Sequence, residues 1–237
     1  MTEAGAPPDG RGGPHVFVAD LYQPELSDED RHHLLRVLRI RPGEAMTISD
    51  GLGCWRAARF GDIVEPIGPV VRVERPRPAI TIAFALVKGQ RPELATQKLT
   101  EIGVDHIVLL HAGRSVVVWE THRAERHLRR LEVVVRSAAQ QSRQVHLPSL
   151  SGPVTVAEAV AAGGTAVAMA EHGGRPPDLT RSRLLVGPEG GWTDEERSLG
   201  SPLVGLGPSV LRTETAAIVG GALLGALRSG VLASHAE

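Results

Sequence analysis

The spacing of apolar residues changes about a third of the way along the chain. Before residue 75 they come in short bursts at 15–18, 45–49, 54–60 and 70–74. Each burst has the length of a strand, and Asp50-Gly51 between two of them is a hairpin signal. One longer stretch, 27–41, predicts a helix. Ser27 is its N-cap, and Asp28, Glu29 and Asp30 fall in the first turn, where negative charge suits the helix dipole. Leu34, Leu35, Val37 and Leu38 are expected to form its core stripe, and Pro42-Gly43 ends it. Residues 15–75 thus predict a small β-barrel-like domain with one helix. Residues 1–14, rich in Gly and Pro, are expected to be a flexible tail.

Arg75-Pro76-Arg77-Pro78 is a stiff linker and the expected boundary. Beyond it, strands alternate with helices. Residues 79–87 are nearly all apolar, as in a strand buried on both faces. Residues 92–102 predict a helix with Leu94, Leu99 and Ile102 inward, closed by Gly103. Further strands are expected at 107–110, 165–170, 184–186 and 203–206, with helices at 123–143, 154–162 and 214–227. Thr193-Asp194-Glu195-Glu196 is a capping box that opens another helix. The alternation predicts an α/β domain over 79–237, with a parallel sheet covered by helices. Periodicity leaves the strand order open, and physical priors argue against a knot. Gly220, Gly221 and Gly225 weaken the last helix but permit close approach, so a subunit interface is expected there.

Composition narrows the function classes. The formal net charge is −1, so a nucleic-acid partner must meet a local basic patch. Lys88 and Lys98 are the only lysines. Codon composition is the plain explanation of the arginine bias, although arginine also suits phosphate contacts. Aromatic residues make up 3% of the chain, which disfavours an RNA-binding sheet built on stacked rings. Cys54 is the only cysteine, so neither an intrachain disulfide nor a cysteine-based metal site can form, as expected in a reducing cytoplasm. His32 and His33 point about 100° apart on a helix and make a poor metal pair, so no metal is expected. The longest apolar runs fall far short of a membrane span, and the first residues lack a signal core.

Two glycine-rich stretches carry the candidate chemistry, Leu184-Leu185-Val186-Gly187-Pro188-Glu189-Gly190-Gly191-Trp192 and Leu206-Gly207-Pro208-Ser209-Val210-Leu211-Arg212-Thr213-Glu214-Thr215-Ala216. Each lies between a strand and a helix signal, where open α/β sheets bind ligands. Each also reads as a tight turn that needs glycine. Neither is GxGxxG, and no GK[ST] phosphate loop occurs, so a nucleotide triphosphate is a poor fit. Glu214 reads either as a helix-dipole residue paired with Arg212 or as part of a site. His32, Arg36, Arg39 and Arg41 form either a solvated face or a phosphate-contacting rim. Gln141 and Arg143, at the end of the long helix, divide the same way.

Together these motifs resemble the RsmE family of the SPOUT methyltransferases. The resemblance runs through His32–Arg39 with Pro42-Gly43, Gln97–Asp105, Arg114-Ser115, Gln141-Ser142-Arg143 with Pro148, Gly187–Gly191 and Leu211–Ala216. It implies an N-terminal PUA or OB-like β-barrel that binds RNA, a C-terminal α/β domain with a trefoil knot, and a homodimer. The activity it implies is transfer of a methyl group from S-adenosyl-L-methionine to N3 of a uridine in 16S ribosomal RNA of the small ribosomal subunit. Its implied cofactor contacts are Met169, Ala170, Glu171, Gly187, Glu189, Gly190, Gly191, Leu206, Gly207, Leu211, Arg212, Thr215 and Ala216. Arg212 and Glu214 would be catalytic, and His32, Arg36, Arg39, Arg41, Lys98, Gln141 and Arg143 would meet RNA. The chain departs from the family at Gln140, where many relatives carry an acid. A non-catalytic RNA-binding or ribosome-assembly module, and a SPOUT methyltransferase of another base, are the alternatives.

Overall fold

The computed structural model describes residues 2–119 and 121–233. Residue 1 of the expected tail, and residues 120 and 234–237 of the expected α/β domain, lie outside the described residues. The chain divides into two compact units, one of residues 1–75 with 136–147, the other of 76–135 with 148–237.

In the first unit, β1 (Thr2–Ala4), β2 (His15–Phe17), β3 (Ala45–Ser49), β4 (Cys54–Arg59) and β5 (Glu65–Arg72) form a sheet in the order β1-β5-β4-β3-β2. β3 and β4 pair antiparallel across the Asp50-Gly51 turn. The segment read as a flexible tail is corrected in part. Thr2–Ala4 pairs in parallel with β5, and Trp55 donates its indole N–H to the Ala6 carbonyl at 2.8 Å. Val16, Leu34, Met46, Ile48, Phe60 and Val70 form the core.

The expected helix also departs from its reading. Ser27 caps α1 (Asp28–His32) through a bond from the Asp30 amide, but the chain then enters a π-helical turn, His33–Val37. Leu38 N–H reaches back five residues to the His33 carbonyl at 3.1 Å. Each wider turn shifts the phase of the side chains. Leu34 is therefore buried, while Leu35, Val37 and Leu38 are exposed.

The second unit holds six parallel strands in the order β11-β9-β10-β6-β7-β8. These are β6 (Thr81–Ala85), β7 (His106–His111), β8 (Ser149–Thr155), β9 (Val167–Arg175), β10 (Arg183–Val186) and β11 (Leu203–Val204). Its helices are α2 (Arg91–Ile102), α3 (Thr121–Ser142), whose last residues count with the first unit, α4 (Val156–Gly163), the single turn α5 (Asp194–Arg197) and α6 (Thr213–Arg228). Both sheet faces are covered. Ile82 and Phe84 of β6 pack with Leu99 of α2 and Ala217 of α6, whereas Ala83 and Ala85 pack with Val156, Met169 and Trp192. This is why β6 reads as a continuous apolar run. Leu94 is exposed, contrary to its expected inward place.

Gly220 and Gly221 are spent inside the chain. A Cβ at Gly221 would sit 2.7 Å from Leu99 Cδ2, and one at Gly220 would collide with Leu184. They let α6 lie close on the sheet and on α2, so their presence is no argument for a subunit contact. Among the described residues no helix is long and apolar enough to cross a membrane, and no group of three or more His, Cys, Asp or Glu is placed to hold a metal.

Candidate active site

Parallel strands carry their loops to one edge of the sheet. Here the carboxyl ends of β9, β10 and β11 and the start of α6 enclose a cavity of about 330 Å³. Loop 187–191 leaves β10, and loop 205–212 leaves β11 and runs into α6. Thr213 donates its hydroxyl to the Gly187 carbonyl at 3.0 Å and so ties the two loops together. Trp192 is fully buried and donates its indole N–H to the Ala170 carbonyl at 3.0 Å. Its ring lies so close to Gly187 that a Cβ there would meet it at 3.0 Å. Gly191 (φ 70°) and Gly207 (φ 131°) hold backbone shapes that L side chains rarely adopt.

Of the implied cofactor contacts, Ala170, Glu171, Gly187, Glu189, Gly191, Leu206, Gly207, Leu211, Arg212 and Ala216 line this cavity. Three do not. Met169 alternates with Ala170 along β9 and is buried in the core beneath. Gly190 lies outside the lining, its carbonyl accepting from Arg114 Nη1 at 3.0 Å. Thr215 is on the exposed side of the first turn of α6. His172, Val186, Pro188, Trp192, Ser209, Val210 and Thr213 line the cavity without being among the implied contacts. Of these, all but His172 sit inside the two stretches, and that adjacency was the available signal.

The electrostatics decide against the alternative in which Glu214 pairs with Arg212. Glu214 is buried, and its Oε1 lies 3.7 Å from Arg91 Nε, while Oε2 has no hydrogen-bond partner among the described residues. Arg91 also donates to Glu189 Oε1 at 3.1 Å. One guanidinium at the start of α2 therefore joins Glu189 of the first loop to Glu214 in the first turn of α6, and Arg212 is left exposed on the cavity wall. No motif pointed to Arg91, which lies far away in sequence. Glu171 is paired with Arg197 at 2.8 Å.

Six of the seven residues named for RNA belong to the first unit. His32 is exposed at the end of α1, Arg36, Arg39 and Arg41 are exposed on and just after the π-helical segment, and Gln141 is exposed at the end of α3. Arg143 is half-buried at φ 57°, with one buried guanidinium nitrogen unpartnered. Lys98, in the second unit, pairs with Glu101 at 2.8 Å. Gln140, at the departure from the family pattern, donates to Asp30 at 2.8 Å. A carboxylate there would face Asp30 with like charge.

Two family models cover most of the chain: an RNA methyltransferase PUA domain over residues 26–74 and an RNA methyltransferase domain over 74–225. A ribosomal RNA small subunit methyltransferase E of Mycobacterium bovis is 38% identical over 230 residues, 86% of each chain. The chain belongs to the ribosomal RNA small subunit methyltransferase E family. Solved structures with the same fold include a methyltransferase from Legionella pneumophila in complex with S-adenosylmethionine (TM-score 0.78, 30% identity, 90% of this chain and 97% of that one). Another is the ribosomal RNA small subunit methyltransferase E of Neisseria gonorrhoeae bound to S-adenosyl methionine (TM-score 0.71, 26% identity, 92% and 97%). The family is the one its motifs resemble, and the fold is α/β of SPOUT type with a PUA domain at the N-terminal side.

Proposed function

We propose that the protein transfers a methyl group from S-adenosyl-L-methionine to N3 of a uridine in 16S ribosomal RNA, acting in the cytoplasm as a homodimer on the small ribosomal subunit. In this reading residues 15–75 are the RNA-binding domain and 79–237 the catalytic one, with a trefoil knot in the chain around the cofactor loops. One observation carries the proposal: the cavity between the two glycine loops suits this cofactor. Val186, Leu206, Leu211 and Ala216 give an apolar wall for an adenine, while backbone held open by Gly191 and Gly207 gives polar edges. The cofactor supplies, when bound, a methyl group on a sulfonium, and its departure leaves the electron pair of the broken C–S bond on sulfur.

The chain's own residues must then prepare N3, a weak nucleophile until its proton leaves. The resulting negative charge spreads to the two flanking carbonyl oxygens, and a forked guanidinium matches that shape. Arg212, exposed on the cavity wall, takes this role. Glu214 acts as a positioning residue, holding Arg91 against Glu189 and so fixing one loop relative to the other. His32, Arg36, Arg39, Arg41, Gln141 and Arg143 in the first unit, and Lys98 in the second, hold RNA.

Isothermal titration tests the assignment of the two functions to different residues. Wild type and Arg39→Gln should bind S-adenosylmethionine alike, while Arg39→Gln binds small-subunit RNA more weakly. Equal loss of both affinities would make Arg39 structural, and no cofactor binding by wild type would remove the enzyme reading and favour an RNA-binding module.

A further inference from the structure

A second cavity opens at the same edge of the sheet. It has a volume of about 230 Å³ and is lined by Lys88 and Gly89 of the loop after β6, Pro92 and Glu93 of α2, and Trp119 and His127. The cavity adjoins the cofactor loops: β6 neighbours β10, and Arg91, two residues before Glu93, joins Glu189 and Glu214.

Its walls have the chemistry of a base-recognition site. Trp119 stacks on His127, with centroids 4.3 Å apart and planes 15° from parallel. In so aromatic-poor a chain, a half-buried indole beside a cavity is conspicuous. Glu93 gives Oε1 to Arg130 at 3.1 Å, but its Oε2 is buried with no hydrogen-bond partner among the described residues. A buried acceptor without a donor is costly unless something fills the need. Lys88 adds a flexible cationic donor at the rim. Acceptor and donor together match the Watson–Crick edge of uracil, where N3–H donates and the flanking carbonyl oxygens accept.

We propose that this cavity holds the flipped target uracil, stacked on Trp119, with N3–H on Glu93 Oε2, one carbonyl oxygen on Lys88 and the other turned to Arg212 of the first cavity. The proposal rests on the uridine-N3 methyltransferase reading and deepens it. Enzymes that modify a base take it out of its stack and read its edge in such a pocket. Glu93 first takes the N3 proton, and the electron pair this leaves on N3 then forms the bond to the methyl carbon, whose bond to sulfur breaks with its pair on sulfur.

The test uses the full-length protein and small-subunit ribosomal RNA, with cofactor affinity, KM for RNA, kcat and the pH profile measured separately. Removal of a general base costs about a hundredfold or more in rate. Glu93→Gln should therefore lower kcat about a hundredfold, bind cofactor as wild type does, and regain rate as pH rises. Trp119→Ala should raise KM for RNA about tenfold, with Trp119→Phe restoring most of it. Lys88→Met, at an exposed position that tolerates change, should raise KM a few-fold. If wild type methylates uridine N3 while Glu93→Gln keeps wild-type kcat and pH profile, the pocket assignment is overturned and the enzyme reading stands. An equal loss for Trp119→Phe and Trp119→Ala would make Trp119 structural and also overturn it. If wild type itself modifies no uridine N3, the underlying reading is what has failed.

Discussion

Each unit of this protein buries one aspartate against one arginine, and the two pairs differ in how deep the cation lies. In the first unit Asp30 accepts from Ser27 (2.8 Å), Gln140 (2.8 Å) and Arg136 (2.9 Å), and Arg136 also donates to the Phe17 carbonyl. The Arg136 side chain is still 42% exposed. In the second unit Asp105 accepts from the Ile80 amide at 2.8 Å and pairs with Arg228, which also donates to the Gly103 and Pro78 carbonyls. The Arg228 side chain is only 9% exposed. Both pairs staple segments more than 100 residues apart, but only the second leaves its cation nowhere to go. Burial of both partners raises the cost of orphaning either far more than it raises the worth of the pair.

The sharpest way to break this comparison is to remove each aspartate. Asp105→Ala should destabilise by about 3–5 kcal/mol, because it strands a buried guanidinium. Denaturant unfolding would show it, and a loss below about 1 kcal/mol would mean that water reaches Arg228. Acid should act on the first unit. Burial, aided by the Arg143 charge and opposed by the bond to the Gln144 carbonyl, pushes the His15 pKa down to about 4. Unfolded, His15 takes its proton near 6.5, so the unit's stability is complete above that pH. It falls as pH drops and levels off below about 4. The 2.5-unit gap corresponds to about 3 kcal/mol. Hydrogen exchange should show β3 losing protection before β6 between pH 6.5 and 4, and His15→Gln should abolish that step.

Asp30→Ala comes next, at about 1–3 kcal/mol, since Arg136 can turn to solvent. Burial alone would raise the Asp30 carboxyl, but bonds from Gln140, Ser27 and Arg136 outweigh it and hold the group below the usual range. Its contribution is therefore complete above that range and lost as pH falls below it, towards the lowered value of the folded group. Leu35→Ser should change stability by less than about 0.5 kcal/mol, because the π-helical turn has already put Leu35 in water. A cost near 2 kcal/mol would show Leu35 to be covered.

That last variant also marks where the sequence was legible. Residues 27–41 carry a good helical pattern, but one π turn shifts the phase, and no local residue signals it. β8 was missed because its polar and small residues leave only Leu150 and Val154 as apolar markers. The buried strands β6, β7 and β10 were plain, since both faces demand apolar residues. The two loops of the candidate site were legible through glycines at positive φ, and their strand-to-helix placement followed from the alternation. Arg91 was not, nor were Glu93 and Trp119 of the second cavity, because the fold brings them to this edge of the sheet from α2 and from the segment after β7.

The most direct test is methyl transfer from S-adenosylmethionine to small-subunit ribosomal RNA, with the modified position mapped by mass spectrometry for wild type and Arg212→Ala. The expected result is a single N3-methyluridine with wild type. With Arg212→Ala, cofactor binding should persist while turnover falls about a hundredfold or more, as for loss of an oxyanion-hole donor. A methyl group found on a base carbon or a ribose hydroxyl, or near-normal turnover by Arg212→Ala, would contradict the account.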